Sequence, residues 1–218
     1  MSTNKPALCV VDDDADLRAA LKLLMKSEGI PFVGFGSAEE FLEGFAEKNI
    51  GCILLDVRLP GMTGTELLEK IRTQNIYIPV ILLTGHADVP LTVTAMKAGA
   101  ADVLQKPFRD QTLIERVKAG LAKWDYWKKF QSERQMVAPK VASLTRREVE
   151  VIDLMVAGVK NRTIAAQLGI STKTLDIHRA NIMRKFGTKT IADLVRWRMV
   201  DKAERTGLLP MLSANAPA

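Results

Sequence analysis

Hydrophobic and polar residues follow two different patterns along the chain. Up to residue 121, short apolar runs of strand length are separated by segments whose apolar residues recur every three or four positions, as in amphipathic helices. The predicted strands are Ala7–Val11, Pro31–Phe35, Cys52–Leu55, Pro79–Leu83 and Val103–Gln105. The predicted helices are Asp16–Ser27, Ser37–Phe45, Gly64–Arg72, Pro90–Lys97 and one that begins at Asp110. Five strands alternating with five helices predict a mostly parallel sheet with helices on both faces.

The helix that begins at Asp110 has no clear stop signal in the sequence. Apolar and aromatic residues continue at helical spacing, at Leu113, Val117, Leu121, Trp124, Trp127 and Phe130. Good helix formers extend to Met136, and Pro139 lacks the N–H group that a helix interior needs. We therefore expect a helical linker over residues 122–142, with its helix ending before Pro139. Its aromatic residues should pack against a partner helix or the chain's own domain.

From Leu144 onward the pattern is wholly helical, with short turns. Thr145 and Glu148 have the spacing of a capping box, so a helix should begin there. Three more helices are predicted, Asn161–Leu168, Ser171–Phe186 and Ile191–Ala203. Two helices joined by a glycine-containing turn are typical of a helix-turn-helix motif.

Charge is distributed unevenly between the two patterns. Residues 1–121 carry 13 Lys/Arg against 16 Asp/Glu, whereas residues 143–218 carry 13 against 7. A basic second half is suited to a polyanion such as nucleic acid, although an ordinary solvated surface can carry the same surplus. We predict a first domain at 1–121, the linker, a second domain at 143–209 and a disordered tail at 210–218.

Composition narrows the class of protein. Hydrophobic residues make up 47% of the chain and charged residues 26%, which is typical of a globular protein and not of a disordered or fibrous one. No apolar run reaches the length of a membrane span, and the first residues lack the apolar core of a secretory signal. Cys9 and Cys52 lie in apolar runs without a metal-binding spacing, so we expect buried free thiols in a reducing compartment. The prediction is a cytoplasmic protein without a membrane partner.

Polar side chains follow the predicted strands of the first domain. Asp12 and Asp13 come directly after the first strand, Asp56 ends the third, Thr84 follows the fourth and Lys106 the fifth. Because parallel sheets bind ligands beyond the carboxyl ends of their strands, these groups should lie on one rim. Carboxylate oxygens are suited to Mg²⁺, while Lys106 and Thr84 are suited to an anion at Asp56. The residues themselves predict a site at which an aspartate is phosphorylated.

Other interpretations of the acidic residues account for less. Asp14 or Asp16 fits the N-cap of the first helix, where a carboxylate is favourable. A calcium-binding EF-hand loop is excluded, because Leu17 stands where glycine is needed and Leu23 where a bidentate glutamate is needed.

Four motifs occur in order in the first domain: VVDDD at 10–14, LLDVRLPGMTG at 54–64, LLTGHADVP at 82–90 and AMKAGAADVLQKPF at 95–108. Together they resemble the receiver domain of response regulators. The resemblance implies a flavodoxin-like α/β fold with a five-stranded parallel sheet, in which Asp56 accepts a phosphoryl group from a sensor histidine kinase. It implies Mg²⁺ or Mn²⁺ bound by the acidic pair and the acceptor, namely Asp12, Asp13, Asp56 and the backbone carbonyl of Arg58. It also implies that Thr84 is the switch hydroxyl and that Lys106 binds phosphate. Members of the family often have a cis peptide bond at the position of Lys106–Pro107.

One position departs from the family pattern. Three residues before the lysine, receivers usually carry a tyrosine or phenylalanine that rotates on activation, whereas this chain has Val103. That rotation cannot occur here. Movement of Thr84 and a shift in the fourth helix and fifth strand are left to carry the signal.

Residues 143–197 resemble the all-α, four-helix DNA-binding domain of LuxR, NarL and FixJ regulators. The resemblance rests on the TxxE opening at 145–148, the GxxN step at 158–161, the turn IAAQLGIS at 164–171 and the helix TLDIHRANIMRK at 174–185. The receiver motifs LTGHADVPLTV and AMKAGA indicate the FixJ branch more narrowly. The implied partner is double-stranded promoter DNA.

The helix Ser171–Phe186 would lie in the major groove. The spacing of Leu175, Ile182 and Phe186 predicts its buried side, with His178 between them. Contacts with base edges are expected from Lys173, Thr174, Asp176, Ile177 and Ala180. Contacts with phosphates are expected from Arg179, Asn181, Arg184 and Lys185, and from Lys160, Asn161 and Arg162 in the preceding helix.

These features predict a bacterial two-component transcription regulator whose only chemistry is self-phosphorylation and autodephosphorylation at Asp56. The expected partners are a sensor histidine kinase, promoter DNA, a second copy of the chain on activation and RNA polymerase. Candidate dimer surfaces are the linker aromatics, the helix face Pro90–Ala98 and the helix Ile191–Met199 with Trp197. Two alternatives stay open: a phosphotransfer node with little DNA output, and a DNA-binding regulator that is independent of phosphorylation, which Val103 favours.

Overall fold

The structure is a computed structural model that describes residues 5–46, 48–86, 89–188, 190 and 192–195, apart from the side chain of residue 134. These residues form two compact units, one extending to Tyr126 and one beginning at Trp127. The predicted tail at 210–218 lies outside the described residues. So does the predicted helix Ile191–Ala203, except that residues 192–195 are helical.

A sheet of five parallel strands forms the centre of the first unit. The strands are β1 (Ala7–Val11), β2 (Phe32–Phe35), β3 (Ile50–Asp56), β4 (Val80–Thr84) and β5 (Asp102–Gln105). Their order across the sheet is β2-β1-β3-β4-β5, with β1 and β3 among the central strands. The flavodoxin-like α/β prediction is confirmed. The sequence placed each strand within two residues at both ends.

Helices cover both faces of the sheet. They are α1 (Ala15–Ser27), α2 (Ala38–Gly44), α3 (Gly64–Thr73), α4 (Val89–Lys97) and the first part of α5 (Asp110–Ala142). Alternate residues of β3 point to opposite faces, so that Ile53 and Leu55 join one apolar cluster, while Cys52 and Leu54 join the other. Because both faces are buried, the central strands are apolar at nearly every position. This explains why they are short continuous apolar runs in the sequence.

Side-chain caps fix the starts of α1 and α2 within one residue of the predicted positions. Asp14 is the N-cap of α1 and accepts from the N–H groups of Asp16 and Leu17. Ser37 accepts from the N–H of Glu40, but the Glu40 carboxylate accepts from Gly36 instead of returning to Ser37. Only one of the two hydrogen bonds of a capping box is therefore present at the start of α2.

The linker helix does not end where the sequence predicts. Helix α5 continues to Ala142 with Pro139 inside it, so the predicted end before Pro139 is wrong. Tertiary contacts within the second unit explain the difference. Val137 is 3% exposed in the apolar core of that unit, and the Lys140 ammonium donates to the Phe186 carbonyl at 2.8 Å. These contacts stabilise the last turns of α5, although proline removes one helix hydrogen bond.

The beginning of the linker belongs to the core of the first unit. Trp124 packs against one of its apolar clusters. A Cβ atom added at Gly51 on β3 would lie 2.8 Å from Trp124, and one added at Gly120 would lie 2.7 Å from the Cys52 sulfur. Both glycines therefore allow α5 to lie close against β3. The expectation that the aromatics pack on the chain's own domain is confirmed for Trp124.

Besides the helical residues 192–195, the described part of the second unit contains three helices after α5. They are α6 (Arg146–Val156), α7 (Asn161–Gln167) and α8 (Thr172–Phe186), and the predicted helix-turn-helix is formed by the last two. Thr145 and Glu148 form the complete capping box that the sequence predicts for α6. Gly187 ends α8 in the left-handed conformation, at φ 65°. Leu175, Ile182 and Phe186 are buried in the core of this unit, as their spacing predicts.

Candidate phosphoacceptor site and nucleic-acid interface

Three carboxylates meet at the carboxyl ends of β1 and β3. One oxygen from each of Asp12, Asp13 and Asp56 lies within 4.8 Å of the others. Asp12 is fully buried and Asp56 is 8% exposed, whereas Asp13 is exposed to solvent. The pairing of β1 with β3 sets Val11 opposite Leu55, which brings the residues that follow each strand side by side. The site is therefore a buried acidic floor with one solvent-accessible carboxylate.

Lys106 joins this group from the end of β5. Its ammonium nitrogen lies 2.8 Å from Asp12 Oδ2 and 2.5 Å from Asp56 Oδ2. Burial alone would lower the pKa of Lys106, but its bonds to the two carboxylates outweigh that effect and hold the pKa above its ordinary value. Burial raises the pKa of Asp12, against the opposing effects of Lys106 and the Asp14 N–H. The peptide bond between Lys106 and Pro107 is cis, as the family resemblance implied.

The segment after Asp56 is held by several local contacts. The N–H of Arg58 donates to Asp56 Oδ1 at 2.9 Å. A Cβ atom added at Gly64 would lie 2.0 Å from the Asp56 carbonyl oxygen, so only glycine allows α3 to begin this close to the end of β3. Thr63 and Glu66 form a complete capping box at the same helix start. These contacts fix the direction that the chain takes after Asp56, the last residue of β3.

Glu39 also holds the segment that follows Asp56, and the sequence analysis did not predict this role. From α2, its Oε1 atom accepts from the N–H of Met62 at 3.2 Å, which ties α2 to the segment that follows Asp56. Hydrogen bonds from its own backbone N–H and from that of Met62 lower the pKa of Glu39. No local motif signals this contact, because it joins residues 23 positions apart.

Thr84 ends β4, and Val103 lies on the neighbouring strand β5. Thr84 is 4% exposed, and its hydroxyl donates to the His86 carbonyl at 3.0 Å and lies 3.2 Å from the His86 N–H. Val103 is opposite Leu82 in the sheet and is partly buried against an apolar cluster. The Thr84 hydroxyl thus holds the start of the β4–α4 segment, and the neighbouring strand has no aromatic group at position 103.

The ligand atoms of the acidic group fit a small divalent cation. Each of the three aspartates offers a carboxylate oxygen, the ligand type preferred by Mg²⁺ and Mn²⁺. Two of the carboxylates are buried and share a single ammonium group, so a further cation would reduce their mutual repulsion. The exposed Asp13 gives such a cation access from solvent.

The second unit presents a mixed polar and basic face on α7 and α8. Leu175, Ile182 and Phe186 turn one side of α8 into the core. Ile177 is 56% exposed. The other predicted contact residues that are exposed are Lys160, Asn161, Arg162, Lys173, Asp176, Ala180 and Arg184, while Thr174, Arg179 and Asn181 are partly buried.

Contacts within α8 already orient part of this face. Arg179 lies 3.8 Å from the Asp176 carboxylate, and its Nε atom is buried without a hydrogen-bond partner among the described residues. Arg184 donates to the Asn181 side-chain oxygen at 3.1 Å. His178 is partly buried between the core and this face.

Lys185 differs from the rest of the predicted set. Its ammonium nitrogen lies 2.6 Å from Glu148 Oε2 and 2.8 Å from the Ser143 carbonyl oxygen. The expectation of a phosphate contact does not match this placement, because the ammonium group is turned toward α6. The partner carboxylate is 37 positions away in the sequence, so helical spacing alone gave no sign of it.

Comparison with known families divides the chain in the same two parts. Residues 8–118 match the model of the response regulator receiver domain, and residues 142–198 match that of the bacterial regulatory proteins of the luxR family. Among the described residues, none of the helices combines the length and apolar character needed to cross a membrane.

Similar proteins cover nearly the whole chain. The transcriptional regulatory protein FixJ of Bradyrhizobium diazoefficiens is 38% identical over 95% of this chain and 98% of its own length. The C4-dicarboxylate transport transcriptional regulatory protein DctR of Rhodobacter capsulatus is 40% identical over 86% of this chain and 96% of its own length.

Solved structures agree with these relatives. The response regulator StyR is 38% identical with a TM-score of 0.69, over 89% of this chain and 98% of that one. Full-length FixJ from B. japonicum is 38% identical with a TM-score of 0.57, over 91% and 98%. The chain therefore belongs to the FixJ-type response regulators, which join a receiver domain to a LuxR-type DNA-binding domain and regulate transcription.

Proposed function

We propose that Asp56 is the phosphoacceptor and that a sensor histidine kinase supplies the phosphoryl group. A carboxylate oxygen of Asp56 attacks phosphorus, the P–N bond of the kinase phosphohistidine breaks, and the electron pair and a proton go to the imidazole. The observation that carries the proposal is the cluster of Asp12, Asp13 and Asp56 with Lys106 at the carboxyl ends of the strands. Asp56 is the member from the central strand β3.

The surrounding groups have distinct roles in this proposal. Asp12, Asp13, Asp56 and the backbone carbonyl of Arg58 would hold Mg²⁺ or Mn²⁺, which supplies charge neutralisation for the phosphoryl oxygens. Lys106 donates to a phosphoryl oxygen after leaving the Asp56 carboxylate, and Thr84 donates to another after leaving the His86 carbonyl. The release of His86 by Thr84 alters the β4–α4 segment without any rotation at Val103.

Incubation with acetyl phosphate and Mg²⁺ tests the acceptor. Wild type should gain one phosphoryl group and Asp56→Asn none, because the amide lacks the nucleophilic oxygen charge. Asp16→Asn is the matched control, since Asp16 is an exposed aspartate in the first turn of α1. It should be phosphorylated as wild type is. Undiminished labelling of Asp56→Asn would contradict the assignment.

We propose that α8 enters the major groove of promoter DNA. Lys173, Thr174, Asp176, Ile177 and Ala180 would face base edges, with phosphate contacts from Arg179, Asn181, Arg184, Lys160, Asn161 and Arg162. The supporting observation is the face of α8 opposite its buried side, which carries basic residues and the exposed Ile177. Footprinting on promoter DNA should show protection. A chain that served only in phosphotransfer would protect none.

We propose that phosphorylation promotes dimerisation, since one helix-turn-helix unit buries too little for tight specific binding. Sedimentation should then show a shift toward dimer in the presence of acetyl phosphate. Equal dimerisation with and without phosphate would favour the phosphorylation-independent regulator, to which Val103 lends support. The face of α4 is one candidate surface, with Val89, Val93 and Met96 exposed, whereas the candidate Ile191–Met199 helix with Trp197 lies largely outside the described residues.

The remaining proposals concern boundaries and setting. We propose 1–121 as the receiver, 122–142 as the linker and 143–209 as the DNA-binding domain. Within the linker, Trp124 packs against the core of the first unit and Val137 is buried in the core of the second. The proposed setting is the bacterial cytoplasm, where the kinase, promoter DNA and RNA polymerase are all accessible.

A further inference from the structure

We propose that Lys185 is a positioning residue for sequence recognition: it holds the C-terminal end of α8 against α6 through Glu148 and does not contact DNA phosphate. The inference rests on the proposed DNA-binding function and refines the role of one residue within it. A lysine late in a basic helix would ordinarily be assigned to the phosphate backbone.

The ammonium group of Lys185 is occupied on the protein side. It lies 2.6 Å from Glu148 Oε2 and 2.8 Å from the Ser143 carbonyl, and the lysine side chain is only 25% exposed. An ammonium group has three donors, and two of them are used by these contacts. Its charge is neutralised by the partner carboxylate, so its attraction for phosphate is reduced.

One oxygen of Glu148 accepts three hydrogen bonds at the same point. Its Oε2 atom accepts from the Thr145 N–H at 2.8 Å, from the Thr145 hydroxyl at 3.0 Å and from Lys185. The residue is 3% exposed. Moving Lys185 toward a phosphate would leave a buried carboxylate without its counter-charge, which is costly. The free and DNA-bound states should therefore both keep this ion pair.

A second lysine secures the same end of α8. The Lys140 ammonium, from the last turns of α5, donates to the carbonyl of Phe186 at 2.8 Å. Carbonyl groups at a helix C-terminus carry partial negative charge and lack partners within the helix, so a lysine is favourable there. Lys140 and Lys185 together tie the end of α8 to the segment 140–148.

Positioning and phosphate contact have different signatures in binding experiments. A lost phosphate contact weakens binding to all sequences and lowers the slope of log affinity against log salt by about one unit. A displaced recognition helix loses contacts with base edges, whose hydrogen bonds depend on geometry, while flexible basic side chains still reach phosphates. The ratio of specific to nonspecific affinity therefore reports positioning, and the salt slope reports charge.

The test uses the full chain, a duplex selected by wild type from a random pool, and a mixed-sequence duplex. Lys185→Met should lower the affinity for the selected duplex about tenfold, the loss expected for one good base contact. Affinity for the mixed duplex and the salt slope should stay unchanged. Lys185→Arg should recover most of the specific affinity. The matched control is Arg184→Met at the neighbouring, exposed position, which should weaken binding to both duplexes and lower the slope by about one unit.

A lower salt slope for Lys185→Met would overturn the inference and make Lys185 a phosphate contact. An equal loss on both duplexes, in proportion to the unfolded fraction measured by circular dichroism, would also overturn it, since the role would then be structural only. If this variant is unfolded at the assay temperature, Lys140→Met decides by the same criteria. Failure of wild type to select any sequence would instead overturn the proposed DNA-binding function.

Discussion

Each unit of the chain contains a lysine bonded to a buried carboxylate, and the two differ in what else surrounds the carboxylate. In the receiver, the Lys106 ammonium is shared between Asp12 and Asp56, with the exposed Asp13 beside them. In the DNA-binding unit, Lys185 binds one carboxylate, Glu148, which also accepts two donors from Thr145. The first group has an excess of negative charge, and the second is balanced.

The difference separates a reactive site from a structural one. An excess of carboxylates around one cation leaves oxygen atoms that can bind a further cation or attack an electrophile. A single carboxylate paired with a single ammonium has no such excess, and its bonds serve to hold two helices together. The balance of charge around each buried carboxylate distinguishes the two cases, whereas residue type does not.

The largest expected effect is on phosphorylation. Lys106→Met should slow labelling by acetyl phosphate about 100-fold, because it removes a positive donor from the oxygens of the transferred group. Lys185→Met should leave the rate unchanged, since its partner lies in the other unit. Lys118→Met is a further control, because Lys118 forms a surface ion pair with Glu28. The initial rate of incorporation is the measurement, and an unchanged rate for Lys106→Met would remove the lysine from the chemistry.

The second effect is on the stability of the DNA-binding unit. Glu148→Gln should lower its free energy of unfolding by about 2 kcal/mol, because the buried end of Lys185 loses its counter-charge. Amide hydrogen exchange at Ile152 and Ile182, both buried in that unit, measures the change. Glu150→Gln is the control, since Glu150 pairs with arginines on the surface of α6. Equal effects of the two variants would show that the buried pair contributes no more than a surface pair.

The third effect is the pH dependence of the stability that Glu148 contributes to the DNA-binding unit. Burial raises the pKa of Glu148, but the bonds from Lys185 and Thr145 outweigh it and hold the pKa below its usual value. A carboxyl with a lowered folded pKa stabilises the protein above its unfolded pKa of about 4.3 and loses that contribution as the pH falls through the folded value. The difference in stability between wild type and Glu148→Gln should thus be full at neutral pH and shrink on acidification below that value. A constant difference measured by hydrogen exchange across this range would contradict the assignment.

The smallest expected change in stability is at the recognition surface. Ile177→Ala should alter the free energy of unfolding by less than about 0.5 kcal/mol, because the side chain is mostly exposed. It should nevertheless weaken the preference for thymine at one or two base pairs, by about 1 kcal/mol, if Ile177 contacts a methyl group. Selection from a random DNA pool measures the preference. An unaltered motif would place Ile177 outside the groove.

Local patterns predicted the strands and the helix starts because those features depend on neighbouring residues. The acidic group could be predicted because the carboxyl ends of parallel strands lie on one rim of the sheet. The alternation of apolar runs gave the sheet, and Asp12, Asp56 and Lys106 each follow a strand directly. The end of α5 was missed because Pro139 is a local signal against helix, whereas Val137 and Lys140 stabilise the helix through distant contacts.

The contacts of Lys185 could not be predicted for a related reason. Its position on α8 suggested a phosphate contact, but its direction is determined by Glu148, which belongs to a different helix. The same holds for Glu39, whose bond to Met62 joins α2 to the segment after Asp56. Side-chain partners that are remote in sequence have no periodic signature, so spacing could not reveal them.

The contacts that α5 makes with each of the two cores have a consequence for building chimeric regulators. Trp124 packs in the receiver core next to Gly51, where no side chain blocks it, and Val137 packs in the core of the DNA-binding unit. A crossover within residues 125–136 would leave both sets of contacts intact, whereas a cut at 142, where the luxR family match begins, would strip Val137 and Lys140 from the transplanted unit. Grafts meant to place a new sensory input on this DNA-binding unit should therefore carry the native sequence from residue 137 onward.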